Sequence, residues 1–174
     1  MIQLASFLWI MVVLFALIGF VRGSTKEIIA LTGIVLALFL VEQFRDVLLS
    51  PLVAGAKLDQ QFYLYAGVLL VVTLAAYQTP ERFEKTRRHK GREGLQEGLL
   101  GALFGGVNAY LFFGSLWYYL DNLGYPLSPS IMAPPLDTAS AQFVNQLPLV
   151  WLLEGNLLTL AVIILFLFVI IVLI

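Results

Sequence analysis

The chain has 174 residues, of which 60% are hydrophobic and only 12% carry a charge. A soluble protein contains about 45–50% apolar and about 25% charged residues. This composition therefore excludes an ordinary soluble domain, a disordered chain and a charge-driven nucleic-acid binder. No cysteine is present, which excludes disulfides and thiolate metal ligands.

Five stretches of the sequence are predicted to cross a lipid bilayer. A bilayer core of about 30 Å needs about 20 helical residues, and four runs without a charged residue meet that length. A shorter apolar run completes a fifth span if its helix extends to Glu27 and Glu42. The predicted spans are 3–21, 25–44, 60–78, 98–120 and 155–174. The predicted fold class is an all-α polytopic membrane bundle of about five transmembrane helices, with short interfacial helices.

The basic residues predict how the bundle is oriented. Eight of the ten Lys and Arg residues fall in Arg22–Lys26 and Arg82–Arg92, and cytoplasmic loops carry such an excess. We therefore predict an N-out, C-in topology, with a cytoplasmic basic segment at 80–97 and a proline-rich outer loop at 121–150. Tyr77, at an inner end, is interpreted as part of an interfacial aromatic belt.

Three short helices are predicted outside the spans. One lies at the membrane surface within Asp137–Gln146, one starts at Ser50-Pro51, and one follows Thr79-Pro80 and ends near Gly91. The last span reaches Ile174 without a polar residue to mark the interface. We expect further residues there, or a partner that covers the end.

Small residues recur every four positions in two neighbouring rows of the fourth span. The first row is Gly94, Gly98, Ala102 and Gly106, and the second is Gly101, Gly105 and Ala109. Such spacing lets helix backbones approach closely within a membrane. Gly33 and Ala37 are predicted to form a facing groove on the second span. The rows indicate packing within the chain or a docking face for another chain.

Asn108 lies near the middle of the fourth span. A buried amide is costly without a hydrogen-bond partner. We expect it to bond a neighbouring helix, and a role in contacting a substrate or ion is the alternative.

The turn between the first two spans contains Arg22, Gly23, Ser24 and Glu27. Ser24 and Glu27 have the spacing of a capping box that opens the second helix. Arg22 is expected to extend toward the lipid headgroups. The alternative is an ion pair between Arg22 and Glu27 that locks the first two helices or senses lipid. Glu42 and Arg45 lie at the other end of the span. They too are expected to cap the helix and extend toward the headgroups, and the alternative is again an ion pair that locks helices or senses lipid.

The cytoplasmic segment contains six basic residues interleaved with glutamates. They are Arg82, Lys85, Arg87, Arg88, Lys90 and Arg92. The expected role is a solvated segment that sets orientation. Contact with anionic lipid headgroups or a protein partner is the alternative.

Catalytic signatures are absent from the sequence. No carboxylate is predicted in the middle of a span, and the single histidine, His89, lies in a loop. No metalloprotease, phosphate-loop or Ser/His/Asp pattern occurs. We expect a non-enzymatic protein without a cofactor, although lipid, quinone or pigment on its apolar faces stays open. The expected partners are membrane lipids and other membrane chains, in a homo-oligomer or a larger complex, with no nucleic acid.

Two stretches resemble the colicin V production protein (CvpA-like) family. Gly19–Glu27 resembles the family's G-x-x-R-G-x-x-x-E turn, and Leu99–Gly105 resembles its L-L-G-A-L-F-G opening of the fourth helix. The likeness extends over about residues 4–150. It implies a bacterial inner-membrane protein associated with toxin production or export and with envelope homeostasis.

The sequence departs from that family at three places. Ala5 stands where the family usually has an acidic residue, Asn108 where it has an arginine, and Glu97-Gly98 where it has Asp-Arg. The leading hypothesis is a CvpA-like protein that acts through assembly. The departures and the extra fifth span favour a rival, an accessory subunit of a larger complex such as a respiratory or photosynthetic one. A channel or transporter is the third hypothesis, and few polar residues inside the spans support it.

Overall fold

The computed structural model describes residues 3–45, 55–78 and 92–173. Every regular element within them is helical, which confirms the all-α class. The α-helices are α1 (Leu4–Arg22), α2 (Ser24–Gln43), α3 (Leu58–Tyr77), α4 (Arg92–Asn122), α5 (Ala139–Phe143), α6 (Pro148–Leu153) and α7 (Leu157–Leu173). Short 3-10 turns at Val144–Gln146 and Glu154–Asn156 flank α6. Five segments are long and apolar enough to cross a membrane, as predicted.

Helix α2 occupies the centre of the bundle. It packs against α3, α4 and α7, and α1 lies along the far side of α4. The buried face of α2 recurs at intervals of three and four residues, which places these side chains on one side of a helix. Its apolar members include Ala30, Ile34, Ala37, Leu38 and Val41. The outer faces of α1 and α7 stay largely exposed.

Helix α4 is longer than the predicted fourth span. It has 31 residues, a length of about 46 Å at 1.5 Å per residue, against about 30 Å for a bilayer core. It begins at Arg92, so residues 92–97 of the predicted cytoplasmic segment are its first turns. Residues in that stretch such as Leu95 and Gln96 favour a helix, so the helix continues from Arg92 into the apolar run.

The short helix predicted in the outer loop is present as α5, and one side of it packs on the bundle. Ser140, on α5, is 1% exposed, and its hydroxyl accepts a hydrogen bond from the backbone N–H of Ala5 at 3.3 Å. The ring of Phe143 stacks on Trp117, with centroids 6.0 Å apart. Pro148 opens α6 and contacts Gly114, where any Cβ would overlap its ring. The segment is a packed cap on one end of the bundle.

Some predictions fall outside the described residues. They concern the helix at Ser50-Pro51, the helix after Thr79-Pro80, His89, Ile174 and the basic residues Arg82, Lys85, Arg87, Arg88 and Lys90. Arg92 is the first residue of α4.

Candidate functional site

A single glycine makes the turn that joins α1 to α2. Gly23 has φ 86° and ψ 159°, a conformation that L-residues with a side chain rarely adopt. Its N–H donates to the Gly19 carbonyl at 2.9 Å, and its own carbonyl accepts from the Glu27 N–H at 3.4 Å. The chain therefore reverses within one residue and brings Arg22 and Glu27 together.

The predicted capping box is wrong. Gly23 is the N-cap of α2, and no side chain caps this end of the helix. The side chain of Glu27 is 1% exposed, so it points into the bundle rather than back toward the turn. The pattern Ser24-x-x-Glu27 fits a capping box, but the carboxylate finds stronger donors in neighbouring helices.

Three side chains from three other helices donate to the carboxylate of Glu27. Arg22, on α1, forms an ion pair through its Nη1 at 2.6 Å from Oε1. The hydroxyl of Tyr77, on α3, donates to Oε2 at 3.2 Å. The amide of Asn108, on α4, donates to Oε2 at 2.8 Å and to the Glu27 backbone carbonyl at 3.0 Å. We call these four residues the inner cluster.

Arg22 is held on two sides. Its guanidinium carbon lies 4.4 Å from the centre of the Tyr77 ring, a distance at which a cation is attracted to the ring face. Its Nη2 is 3.5 Å from the Tyr77 carbonyl oxygen. Glu27 and Arg22 thus form an ion pair that ties the first three helices together.

The amide of Asn108 bonds a carboxylate from the first turn of α2. Asn108 is 1% exposed and lies near the middle of the predicted fourth span. Glu27 therefore satisfies this amide from a neighbouring helix, as expected for a buried Asn108. Apolar surroundings strengthen such hydrogen bonds and raise the cost of losing a partner. The Oδ1 atom of Asn108 is buried without a partner.

The small-residue rows of α4 pack against α1 within the same chain. A Cβ on Gly101 would overlap the Gly19 carbonyl, and one on Gly105 would overlap the Phe15 carbonyl. Gly98 lies against the ring of Phe20. Gly106 faces Val12 and Ala16, Gly94 and Ala102 are half-buried, and Ala109 is buried. This close seam holds Arg22, at the end of α1, beside α4.

The expected groove on α2 faces a different helix. A Cβ on Gly33 would overlap the side chain of Ala76, which lies on α3. Gly33 therefore lets α3 approach α2, and the prediction that it faces α4 is wrong. Ala37 is buried on the same helix. The close approach at Gly33 brings the end of α3, and with it Tyr77, to Glu27.

Two residues were not expected at this site, Glu97 beside the inner cluster and Tyr77 within it. Glu97, one of the positions where the sequence departs from the family pattern, lies against the turn, with Oε1 3.0 Å from where a Cβ on Gly23 would stand. Tyr77 was expected only in an aromatic belt, yet it completes the cluster. Its position at an inner end, level with the Arg22–Glu27 turn, was the signal that could have placed it there.

The other end of α2 has a different arrangement. Arg45 donates through Nε to the Tyr65 hydroxyl at 3.3 Å and lies over that ring at 5.1 Å. The hydroxyl of Tyr119 lies beside Glu42. Among the described residues, neither Glu42 Oε1 nor the Tyr119 hydroxyl, both buried, has a hydrogen-bond partner. The alternative interpretation, an ion pair between Glu42 and Arg45, is not found there, because Arg45 contacts Tyr65 and Glu42 lies beside Tyr119.

The contacts of the inner cluster can hold four helices together. One carboxylate, one guanidinium, one phenol and one amide satisfy each other across four helices. In the described ranges, no three His, Asp or Glu side chains lie close enough together to hold a metal ion.

Comparison with known proteins gives one family. The model described as "Colicin V production protein" matches residues 6–141, well over half of the chain. The match includes α1 to α4 and the start of α5, and therefore all four residues of the inner cluster. No curated protein matches the chain. No solved structure matches it either.

Proposed function

The chain belongs to the Colicin V production protein family, and we propose that it acts in toxin production or export, or in envelope homeostasis, through assembly with other membrane chains. In this proposal it catalyses no reaction and holds no cofactor. It resides in the bacterial inner membrane, with the turn at Gly23 on the cytoplasmic side.

The inner cluster is the observation that supports this proposal. The turn at Gly23, within the stretch Gly19–Glu27 that resembles the family, supplies Arg22 and Glu27. Tyr77 comes from α3, and Asn108 comes from α4, shortly after the second stretch and where the family has an arginine. A family motif that builds a rigid junction of four helices fits a protein that works by presenting a fixed surface.

Genetic complementation tests the proposal. The chain is expressed in a bacterium that secretes a colicin V-type toxin and lacks its own family member. Toxin in the culture supernatant and growth in detergent are measured. We expect the wild-type chain to restore at least one of the two, and Glu27→Gln to restore neither.

A matched control separates function from expression. Glu154 is exposed in a turn away from the inner cluster, so Glu154→Gln should restore as well as the wild type. Immunoblots of membranes give the amount of each variant. The proposal would be contradicted if the wild-type chain restored neither toxin secretion nor growth in detergent. Its membrane level must then equal that of the family member in the unmodified host.

An accessory subunit of a larger complex is the second candidate. The outer face of α1 and most of α7 are exposed and apolar, as at Trp9, Leu17, Ile164 and Phe166. Such surfaces face lipid or neighbouring helices. Solubilisation of native membranes in a mild detergent, followed by measurement of particle mass, distinguishes the candidates. Recovery at fixed stoichiometry with unrelated subunits supports the accessory role, and recovery alone or as a homo-oligomer supports the leading one.

The basic segment gives a further part of the proposal. Arg82, Lys85, Arg87, Arg88, Lys90 and Arg92 follow the third span on the proposed cytoplasmic side. We propose that they set the orientation and contact anionic lipid headgroups. Loss of binding to anionic vesicles when all six are changed to glutamine would support that contact.

A further inference from the structure

A cleft of mixed polarity lies between the end of α2 and the turn that joins α6 to α7. Its apolar wall includes Phe39, Leu152 and Leu158, and its polar wall includes Glu42, Asn156 and Thr159. It lies at the end of the bundle opposite the inner cluster, because Glu27 and Glu42 stand at the two ends of α2. An end of a membrane-spanning helix lies at the level of the lipid headgroups.

The rim of the cleft is built from unusual backbone. Gly155 and Asn156 have φ values of 59° and 60° in the turn between α6 and α7. A residue other than glycine rarely adopts this left-handed conformation, which often marks binding sites. The turn interrupts what would otherwise be one continuous helix and sets the Asn156 side chain at the cleft.

Glu42 brings a negative charge to this cleft, and no ion pair of 4 Å or less neutralises it within the described residues. Among those residues, its Oε1 and the nearby Tyr119 hydroxyl are buried without hydrogen-bond partners. Arg45, one turn further on, is engaged with Tyr65 instead. A carboxylate in partly apolar surroundings is costly unless a cation or donor meets it. A positively charged hydrogen-bond donor would therefore complement the polar wall of this cleft.

We propose that the cleft binds the headgroup of a phospholipid with a primary ammonium, of the phosphatidylethanolamine type. An ammonium has three N–H donors and no acceptor, which suits Glu42. The Asn156 amide and the Thr159 hydroxyl donate to the phosphate or ester oxygens, and Phe39 and Leu158 contact the first methylenes of an acyl chain. This inference does not depend on the proposed function.

The charge pattern favours this lipid over an anionic one. Residues 121–154 contain no Lys or Arg, so the packed cap offers no cation to a second negative charge. Phosphatidylglycerol would place its phosphate near Glu42 without an ammonium. Phosphatidylcholine has the same positive charge as phosphatidylethanolamine but no N–H to donate.

Native mass spectrometry of the purified full chain tests the proposal. Delipidated protein is incubated with mixed micelles that contain equal amounts of the three phospholipids, and bound lipid is identified. We expect at least a tenfold preference for phosphatidylethanolamine over each of the other two. Glu42→Gln, which keeps the size but removes the charge, should abolish the preference. Glu154→Gln, exposed in the same turn, is the matched control and should keep it.

A second variant tests the cleft without touching its charge. Leu153 lies at the rim and is 36% exposed, so Leu153→Trp should fill the opening and reduce bound phosphatidylethanolamine about tenfold. Monodisperse elution shows that each variant is folded. Equal retention of the three lipids by the wild type, or an unchanged preference in folded Glu42→Gln or Leu153→Trp, would overturn the proposal.

Discussion

At the residue scale, the buried carboxylate of Glu27 connects α2 to three other helices. It accepts hydrogen bonds from Arg22, Tyr77 and Asn108. Glu27→Gln leaves the Arg22 charge without its anion, and breaking a buried ion pair costs about 3–5 kcal/mol. Because Arg22 is partly exposed, we expect a loss of about 3 kcal/mol in the free energy of unfolding. Unfolding by sodium dodecyl sulfate in mixed micelles measures it.

The exposed Glu154 provides the comparison for this variant. Glu154→Gln should change the free energy of unfolding by less than about 0.5 kcal/mol, as substitutions at the surface usually do. If Glu27→Gln unfolds at the same detergent fraction as Glu154→Gln, the inner cluster does not stabilise the fold.

The coupling between Arg22 and Glu27 can be measured separately. Arg22→Leu and Glu27→Leu each leave one unpaired charge, whereas the double variant leaves none. We therefore expect the double variant to be more stable than the sum of the two losses implies, with a coupling of about 1–3 kcal/mol. The same unfolding measurement on all four proteins gives this value. Additive losses would show that the 2.6 Å contact contributes no coupling.

The sequence predicted the need of Asn108 for a partner but not the partner's identity. An amide in a span needs a hydrogen bond, and that requirement can be stated from position alone. Glu27 was assigned to a capping box because Ser24 precedes it at the right spacing. Only the left-handed turn at Gly23, together with the approach of α4, turns the carboxylate inward. Such long-range geometry has no local signature.

At the element scale, the seam between α1 and α4 depends on backbone contact. Gly101→Leu would drive a side chain into the Gly19 carbonyl, and we expect a loss of about 3 kcal/mol or more. Gly67→Leu is the matched control, because a Cβ on that α3 glycine meets nothing within 4 Å. Thermal stability and elution volume in detergent compare the two. If both variants kept the thermal stability and elution volume of the wild type, the row of Gly101, Gly105 and Ala109 would face lipid rather than α1.

Element boundaries and helix pairing were predictable to different degrees. Four charge-free runs predicted four of the long helices because a bilayer requires about 20 apolar residues of helix, and a shorter run extended to Glu27 and Glu42 predicted α2. The start of α4 at Arg92 was missed, since charged residues continue a helix as readily as they end one. Gly33 was paired with the wrong helix, because a small residue at helical spacing reveals a groove but not which neighbour fills it.

At the scale of the whole molecule, the two ends of the bundle differ in chemistry. One end has the Gly23 turn, the inner cluster and the segment that carries six of the ten basic residues. The other end has the packed cap, where Trp117 donates to the Tyr125 hydroxyl at 3.0 Å. Burial raises the pKa of Tyr125 to about 12, so it stays a neutral phenol at ordinary pH. By the excess of basic residues in cytoplasmic loops, the end with the Gly23 turn is predicted to face the cytoplasm.

Labelling of single cysteines tests the predicted N-out, C-in orientation. The chain has no native cysteine, so each introduced thiol reports one position. Ser128 and Ser130 are exposed in the cap, and Ser128→Cys and Ser130→Cys should react with a membrane-impermeant maleimide in intact cells. His89→Cys should react only after the membrane is opened, because basic loops stay in the cytoplasm. Ser140 is unsuitable, since it is 1% exposed. The reverse labelling pattern would show the opposite orientation, with the inner cluster at the outer side of the membrane.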